Sequence, residues 1–455
     1  MPSPSRLNRV LARGLFLALW LGPGSGAFAA PPTEDAESDP SEELQLPPTL
    51  SELKAQLDEL ERKVNEAQVH AVRRGIEVSF EGYADLGFYA PLGNAGVGVV
   101  QDLGNRAFPQ YAGKYGWLFY GDLLATSINS RGDVPNLGDL PGVSRFDPIH
   151  SGAPSFIVNE VNLRTRVGLM PKLLLTTSIN FVPRSGSNFS FGDFFDLDIA
   201  QLEWLPFDNG KTSFFAGKMD SVLGIEYRER KADARFGVVP TLLARYTTGT
   251  PLGLKVRSKL LDDHLIVAVA LTNGTSTTEQ FFFYNETDTN VAKTVSGRVA
   301  IRFDLLGDLE LGVSGEYGAQ DRALDSLGAL WFVGGDLQFH FRDFSLKGQY
   351  LRGMSPGRAL DQVYALRLNK GAYLEADFRF VPAFGLLLRG ELRDAFLSLG
   401  TERAYLTKNW RAVAGLHWDI IQHVVLKAEY LHNGEYGGVP SFPDDVATAS
   451  LLVTY

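Results

Sequence analysis

The sequence contains no cysteine. That excludes a disulfide framework, a thiolate metal site, a cysteine nucleophile and a lipid-anchored N-terminal cysteine. It also suits a chain that travels unfolded through an oxidising compartment, where a stray thiol mispairs. Long apolar runs are missing too. Beyond the first 30 residues none approaches the roughly 18–20 residues a spanning helix needs. With 21% charged residues and a mean hydropathy of −0.05, the chain is no bundle of membrane helices. Histidine is sparse at seven, and no H-x-x-x-H pair occurs, so neither a metal nor another cofactor is expected. No G-x-S-x-G elbow or phosphate-binding loop is found.

Glycine is plentiful at 47, and Phe (30) and Tyr (16) far outnumber Met (4). Many glycine-rich turns with many aromatics fit a large antiparallel β-protein. The first 29 residues read as a signal peptide. Arg6, Arg9 and Arg13 precede a short apolar core, Gly14 to Leu21, and Ala27-Phe28-Ala29 forms a small-residue cleavage site. Its removal takes away three arginines and no acid, deepening the formal charge of −10 by three. An acidic exported chain lacks the basic footprint that nucleic acid requires.

Residues 30–48 read as a Pro-rich acidic linker, extended by like charge. Residues 49–73 read as a helix. Thr49 and Glu52 make a capping box, and Leu50, Leu53, Leu57, Leu60 and Val64 recur at spacings of 3 and 4. The stripe is narrow and the remaining positions are polar, which favours a coiled coil between identical chains over one surface helix.

From residue 76 the period changes to 2. Val78, Phe80, Ala84, Leu86 and Phe88 alternate with Glu77, Ser79, Glu81, Tyr83, Asp85 and Tyr89. Further on, Val161, Leu163 and Val167 oppose Asn162, Arg164 and Arg166, and Leu252, Leu254, Val256 and Leu260 oppose Lys255, Arg257 and Lys259. Many such runs reach 10 residues, the length of a membrane strand rather than of a sandwich strand. Connections alternate in length. Seven are short: 170–171, 206–210, 261–264, 304–308, 342–343, 381–385 and 419–422. Eight are longer: near 91–154, 184–192, 221–249, 274–294, 319–327, 354–369, 395–403 and 433–443. Together they predict sixteen strands spanning residues 76–455, closed as a transmembrane β-barrel with both ends on the short-turn side.

The last strand alternates Ala447, Ala449, Leu451 and Val453 with Thr448, Ser450 and Leu452, and ends at Tyr455. With these features the chain resembles the sixteen-stranded porins of Gram-negative outer membranes. Gly217-Lys218-Met219-Asp220-Ser221-Val222-Leu223-Gly224-Ile225-Glu226-Tyr227 is similar to a strand-ending run of the phosphate-selective group. The resemblance implies an outer-membrane location with lipid around the barrel, the helix in the periplasm and a homotrimer. It also implies that the terminal aromatic is read by the barrel-assembly machinery.

It further implies that the 221–249 loop folds inward to narrow a channel for small solutes. That loop carries Glu226, Arg228, Arg230, Lys231 and Arg235. With the inward Arg164, Arg166, Lys255, Arg257 and Lys259 these are the candidate pore-lining residues. Basic and acidic groups facing each other across a constriction create a transverse field, and this set suits mild anion preference. Two alternatives remain: a structural barrel plugged by the 91–154 loop and tethered by its helix, and an outer-membrane enzyme whose Ser/His pair meets only in space.

Overall fold

The computed structural model describes residues 77–92, 98–99, 117–118, 154–181, 195–273, 293–305, 307–320, 328–359, 362–399, 402–437 and 445–455. The expected signal peptide, linker and coiled-coil helix, and almost all of the 91–154 loop, lie outside them.

Sixteen antiparallel strands form one closed barrel. They are β1 (Glu77–Pro91), β2 (Ser155–Met170), β3 (Leu173–Phe181), β4 (Phe195–Trp204), β5 (Thr212–Lys218), β6 (Leu252–Leu260), β7 (Leu265–Thr272) and β8 (Thr294–Leu305). There follow β9 (Gly307–Gln320), β10 (Gly328–Phe341), β11 (Phe344–Ala359), β12 (Gln362–Val381), β13 (Phe384–Leu399), β14 (Glu402–Ile421), β15 (Val424–Glu435) and β16 (Val446–Thr454). Each strand pairs with its sequence neighbours. The ring closes where β1 meets β16, from Tyr83 opposite Thr454 to Pro91 opposite Val446. Closure leaves the sheet without a free edge strand, which is what lipid requires of a spanning sheet.

The period of 2 sets the faces. Phe80, Leu254, Val313, Leu374, Leu388 and Leu416 point out and are exposed, whereas Asn162, Arg298, Glu310, Glu375, Arg389 and Glu429 point in and are buried. Such an inverted pattern fits a lipid solvent outside and a polar lumen inside. Aromatics gather toward both ends of the outer face. Phe384 lies between Phe380, at 6.2 Å, and Trp418, at 5.2 Å; Phe88 meets Phe156 at 4.9 Å.

All seven short turns fall where expected. The two-residue turns are tight enough to force Arg342 (φ 53°) and His423 (φ 69°) into the left-handed region. Two of the eight longer connections are not long. β11 continues to Ala359 and β12 starts at Gln362, while β13 continues to Leu399 and β14 starts at Glu402. Ser355-Pro356-Gly357 reads as a turn, yet it sits in the ladder opposite Tyr364, Ala365 and Leu366. Pairing on both sides of β12 overrides the local turn chemistry. The strands thus extend beyond the roughly 9–11 residues that lipid requires, and the strand number is unchanged.

Candidate lumenal site

The segment 219–251 between β5 and β6 turns into the lumen. Two glycines make the turn possible, because both stand at positive φ: Gly217 at 120° and Gly224 at 70°. A side chain at Gly217 would collide with the Ala200 carbonyl, and one at Gly224 with the Gln349 amide. Both belong to the 217–227 run.

Once inside, the loop needs partners for its backbone groups, and inward-pointing side chains of the barrel wall supply them. Glu429 of β15 accepts the Val238 and Val239 amides at 2.8 and 2.9 Å. Glu391 of β13 accepts the Leu242 amide. Ser314 of β9 accepts Gly224 N–H at 3.0 Å, and Gln349 of β11 accepts Ile225 N–H at 3.0 Å. Cations take the carbonyls: Lys427 reaches Ala232 at 2.7 Å and also Arg235, and Arg389 reaches Val239 at 3.0 Å. His417 Nδ1 lies 3.0 Å from the Phe236 carbonyl. Met219, Leu223, Leu243 and Tyr246 are fully buried, Tyr246 beside Phe332 of β10 at 6.1 Å. The loop therefore covers the β9–β15 wall.

The predicted loop cations all meet carboxylates or the backbone. Arg228 pairs with Glu310 at 2.8 Å; Arg230 pairs with Asp220 at 2.9 Å and with Asp198; Lys231 pairs with Asp198 at 2.7 Å. Arg235 donates to the Arg230 carbonyl at 2.8 Å. Glu226 is half-buried, hydrogen-bonded to Thr241 and Tyr373, with Glu229 and Glu375 nearby. Burial pushes its carboxyl up to about 7, and both neighbouring carboxylates push the same way.

On the opposite wall a cleft of about 360 Å³ stays open between the loop and β2–β4. It is lined by Arg164 and Arg166 of β2, Thr176 and Ser178 of β3, Gln201 and Glu203 of β4, and Asp220, Tyr227, Arg228, Arg230, Lys231 and Asp233 of the loop. Arg164 stands 3.5 Å from both Glu81 and Asp233, and Arg166 is 3.1 Å from Glu81. On β6, Arg257 stands 3.8 Å from Glu203 and 5.4 Å from the centre of the Phe215 ring. Lys255 meets no carboxylate within ion-pair distance among the described residues. It donates to the Asp220 carbonyl at 3.0 Å, over the same ring at 4.7 Å. Lys259 has no ion-pair partner among the described residues.

Acids and bases thus interleave within 4 Å instead of standing on opposite faces of a gap. The clamping residues are the part that sequence reading did not single out. Glu310, Glu375, Arg389 and Glu391 were legible as inward charges, and Lys427 and Glu429 carry the same alternation. Nothing local shows that they face a loop backbone rather than water.

A closed sixteen-stranded barrel with an inward loop defines the class: an outer-membrane-type β-barrel channel fold. No protein-family model matches the sequence, and no curated protein matches it. Among solved structures the chain is similar to the outer membrane channel DcaP of Acinetobacter baumannii, with a TM-score of 0.50 and 11% identity over 84% of this chain and 98% of that one. An anion-selective porin from Comamonas acidovorans follows at a TM-score of 0.49 and 8% identity, over 84% of this chain and 99% of that one. OprB of Pseudomonas putida stands at 0.49 and 8%, over 85% and 96%. At such identities the first likeness carries the fold alone.

Proposed function

We propose that the chain is an outer-membrane porin, a passive path for small hydrophilic solutes and ions. The observation that supports this most is the polar cleft between the 219–251 loop and the β2–β4 wall. Sixteen strands enclose more space than inward side chains fill, and the loop occupies one side of it. The outward apolar band supports a place in lipid, and long strand connections opposite the short turns support an outer-membrane orientation. The ten residues first expected at the pore divide among three duties in this reading. Arg164, Arg166, Arg228, Arg230, Lys231 and Arg257 line the path in neutralised pairs. Lys255 and Lys259 supply the unbalanced charge behind a mild anion preference. Glu226 and Arg235 hold the loop.

A homotrimer joined by the 49–73 heptads belongs to the same proposal, with cross-linking of Leu53→Asp, Leu57→Asp, Leu60→Asp protein as its check. So does recognition of the strand ending at Tyr455 by the assembly machinery. The test of function is ionic current through purified protein in a planar bilayer. The breadth of loop docking favours one rival, a lumen closed for a structural role. Folded protein that carries no current would establish that rival.

A further inference from the structure

On the outer face, the apolar run of each strand ends at a defined residue. On β1–β3 the runs end at apolar side chains, Phe88 and Ala90, Phe156, and Phe181. On β11, Phe344, Leu346, Gly348 and Tyr350 are followed outward by Arg352. On β12, Phe380, Phe378, Ala376, Leu374 and Ala372 are followed by Lys370, then Arg367. On β14, the run from Ile420 to Trp410 is followed by Lys408. Register makes these neighbours. Val333, an exposed outward residue, pairs with Arg352; Lys370 pairs with Asp394 of β13; Asp394 pairs with Lys408. A β-bulge between Leu368 and Lys370 adds Asn369 to β12.

Arg352, Arg367 and Lys370 are exposed and Lys408 is half-buried. Asp394 is the carboxylate within the row, and it is engaged by the Asn369 amide at 3.1 Å. Lys370 lies 5.7 Å from the centre of the Tyr436 ring. Among the described residues no carboxylate stands within ion-pair distance of any of the four cations. Four cations against one acid, packed side by side at the margin of a lipid-facing surface, repel one another. Among the described residues Asp394 is the acid that stands against that repulsion, one carboxylate for four cations.

We propose that this β11–β14 row is a docking surface for the phosphorylated head groups of outer-leaflet lipid. The proposal rests on the membrane placement above and is independent of whether the lumen conducts. The charge is of the right sign and stands at the end of the apolar run, where acyl chains give way to head groups. Arginine offers two parallel N–H donors to a phosphate, and lysine a point charge beside it. Acyl chains of the same molecule would lie along Tyr350, Ala372, Leu392 and Trp410. Phosphate bridging between neighbouring strands turns the repulsion into cross-linking.

The experiment uses full-length protein in detergent, titrated with diphosphorylated lipid A or with the same lipid stripped of phosphate, and followed by native mass spectrometry of retained lipid. The native protein is expected to retain the diphosphorylated form at least tenfold better, with the preference falling as salt rises. R352E/R367E/K370E/K408E is expected to lose the preference while keeping native bilayer conductance. R342E, on the periplasmic turn, is expected to keep both. Equal retention of the two lipids by native protein would overturn the proposal, because acyl chains alone would then explain binding. An unchanged preference in the fourfold variant, or its loss in R342E, would overturn it as well.

Discussion

Tyr455 reaches across β1 on the outer face and donates its phenol to the Asn162 carbonyl of β2, at 2.9 Å. It passes over Gly82, whose amide and carbonyl pair with the Tyr455 backbone at 3.1 and 3.0 Å. Three strands at the closing seam are thus strapped together by the last side chain. A methyl group at Gly82 would collide with both the Asn162 carbonyl and the Tyr455 ring. Gly82→Val should therefore destabilise the barrel by about 1–3 kcal/mol, the usual cost of overpacking. The check is the temperature at which the folded form loses its heat-modified mobility in detergent. An unchanged temperature would show that the strap carries no stability.

The loop clamp gives a second expectation. Removing the Glu429 carboxylate orphans two buried amides, and removing Glu391 orphans a third. Each orphaned group costs about 1–3 kcal/mol. The double variant Glu391→Ala, Glu429→Ala should release the loop from the β13–β15 wall and raise single-channel conductance, while the barrel keeps its heat resistance. Conductance equal to native would mean that the apolar contacts of Leu243 and Tyr246 suffice to hold the loop.

Glu226 makes loop docking depend on pH. Its carboxyl rises from the usual 4.5 to about 7 when the loop is docked. Below the lower value it is protonated in both states. Between the two, docked loop holds a proton that released loop has lost, so docking weakens as pH rises through this window and levels off above it. Current fluctuations from loop movement should grow from pH 5 to pH 8, and Glu226→Gln should flatten that dependence. Fluctuations that grow toward acid instead would give the opposite sign and remove Glu226 from the account.

Charge preference should follow the β6 lysines. Replacing Lys255, Arg257 and Lys259 by Glu should move the reversal potential in a salt gradient toward cations. The shift should shrink at high salt, as the Debye length falls from about 10 Å at 0.1 M to about 3 Å at 1 M. Selectivity that ignores the replacement would mean that ions do not pass along β6.

Barrel class, strand number and strand faces were legible because lipid imposes one rule on every strand. Phe80 and Leu254 must point out, and Arg164 and Lys255 must point in, whatever the partner strands are. The long-loop reading of 354–369 failed because Ser355-Pro356-Gly357 carries a local turn signal that cross-strand pairing outweighs. Charge at Arg228, Arg230 and Lys231 was legible, but its neutralisation was not. Their partners Glu310, Asp198 and Asp220 are brought within 4 Å only by closure of the barrel and the inward turn at Gly217 and Gly224. Arg228 is thereby paired on the β9 wall, and Arg230 and Lys231 on the β4 wall.

The central claim is that solute passes between the loop and the β2–β4 wall, and the absence of native cysteine allows a direct measurement. Gln201→Cys places the one thiol of the protein in the cleft, and Ser314→Cys places it beneath the docked loop on β9. A bulky cationic thiol reagent, added during single-channel recording, should cut the current through Gln201→Cys stepwise and leave Ser314→Cys unaltered. Block of Ser314→Cys with Gln201→Cys untouched would put the path on the other side of the loop and contradict the account.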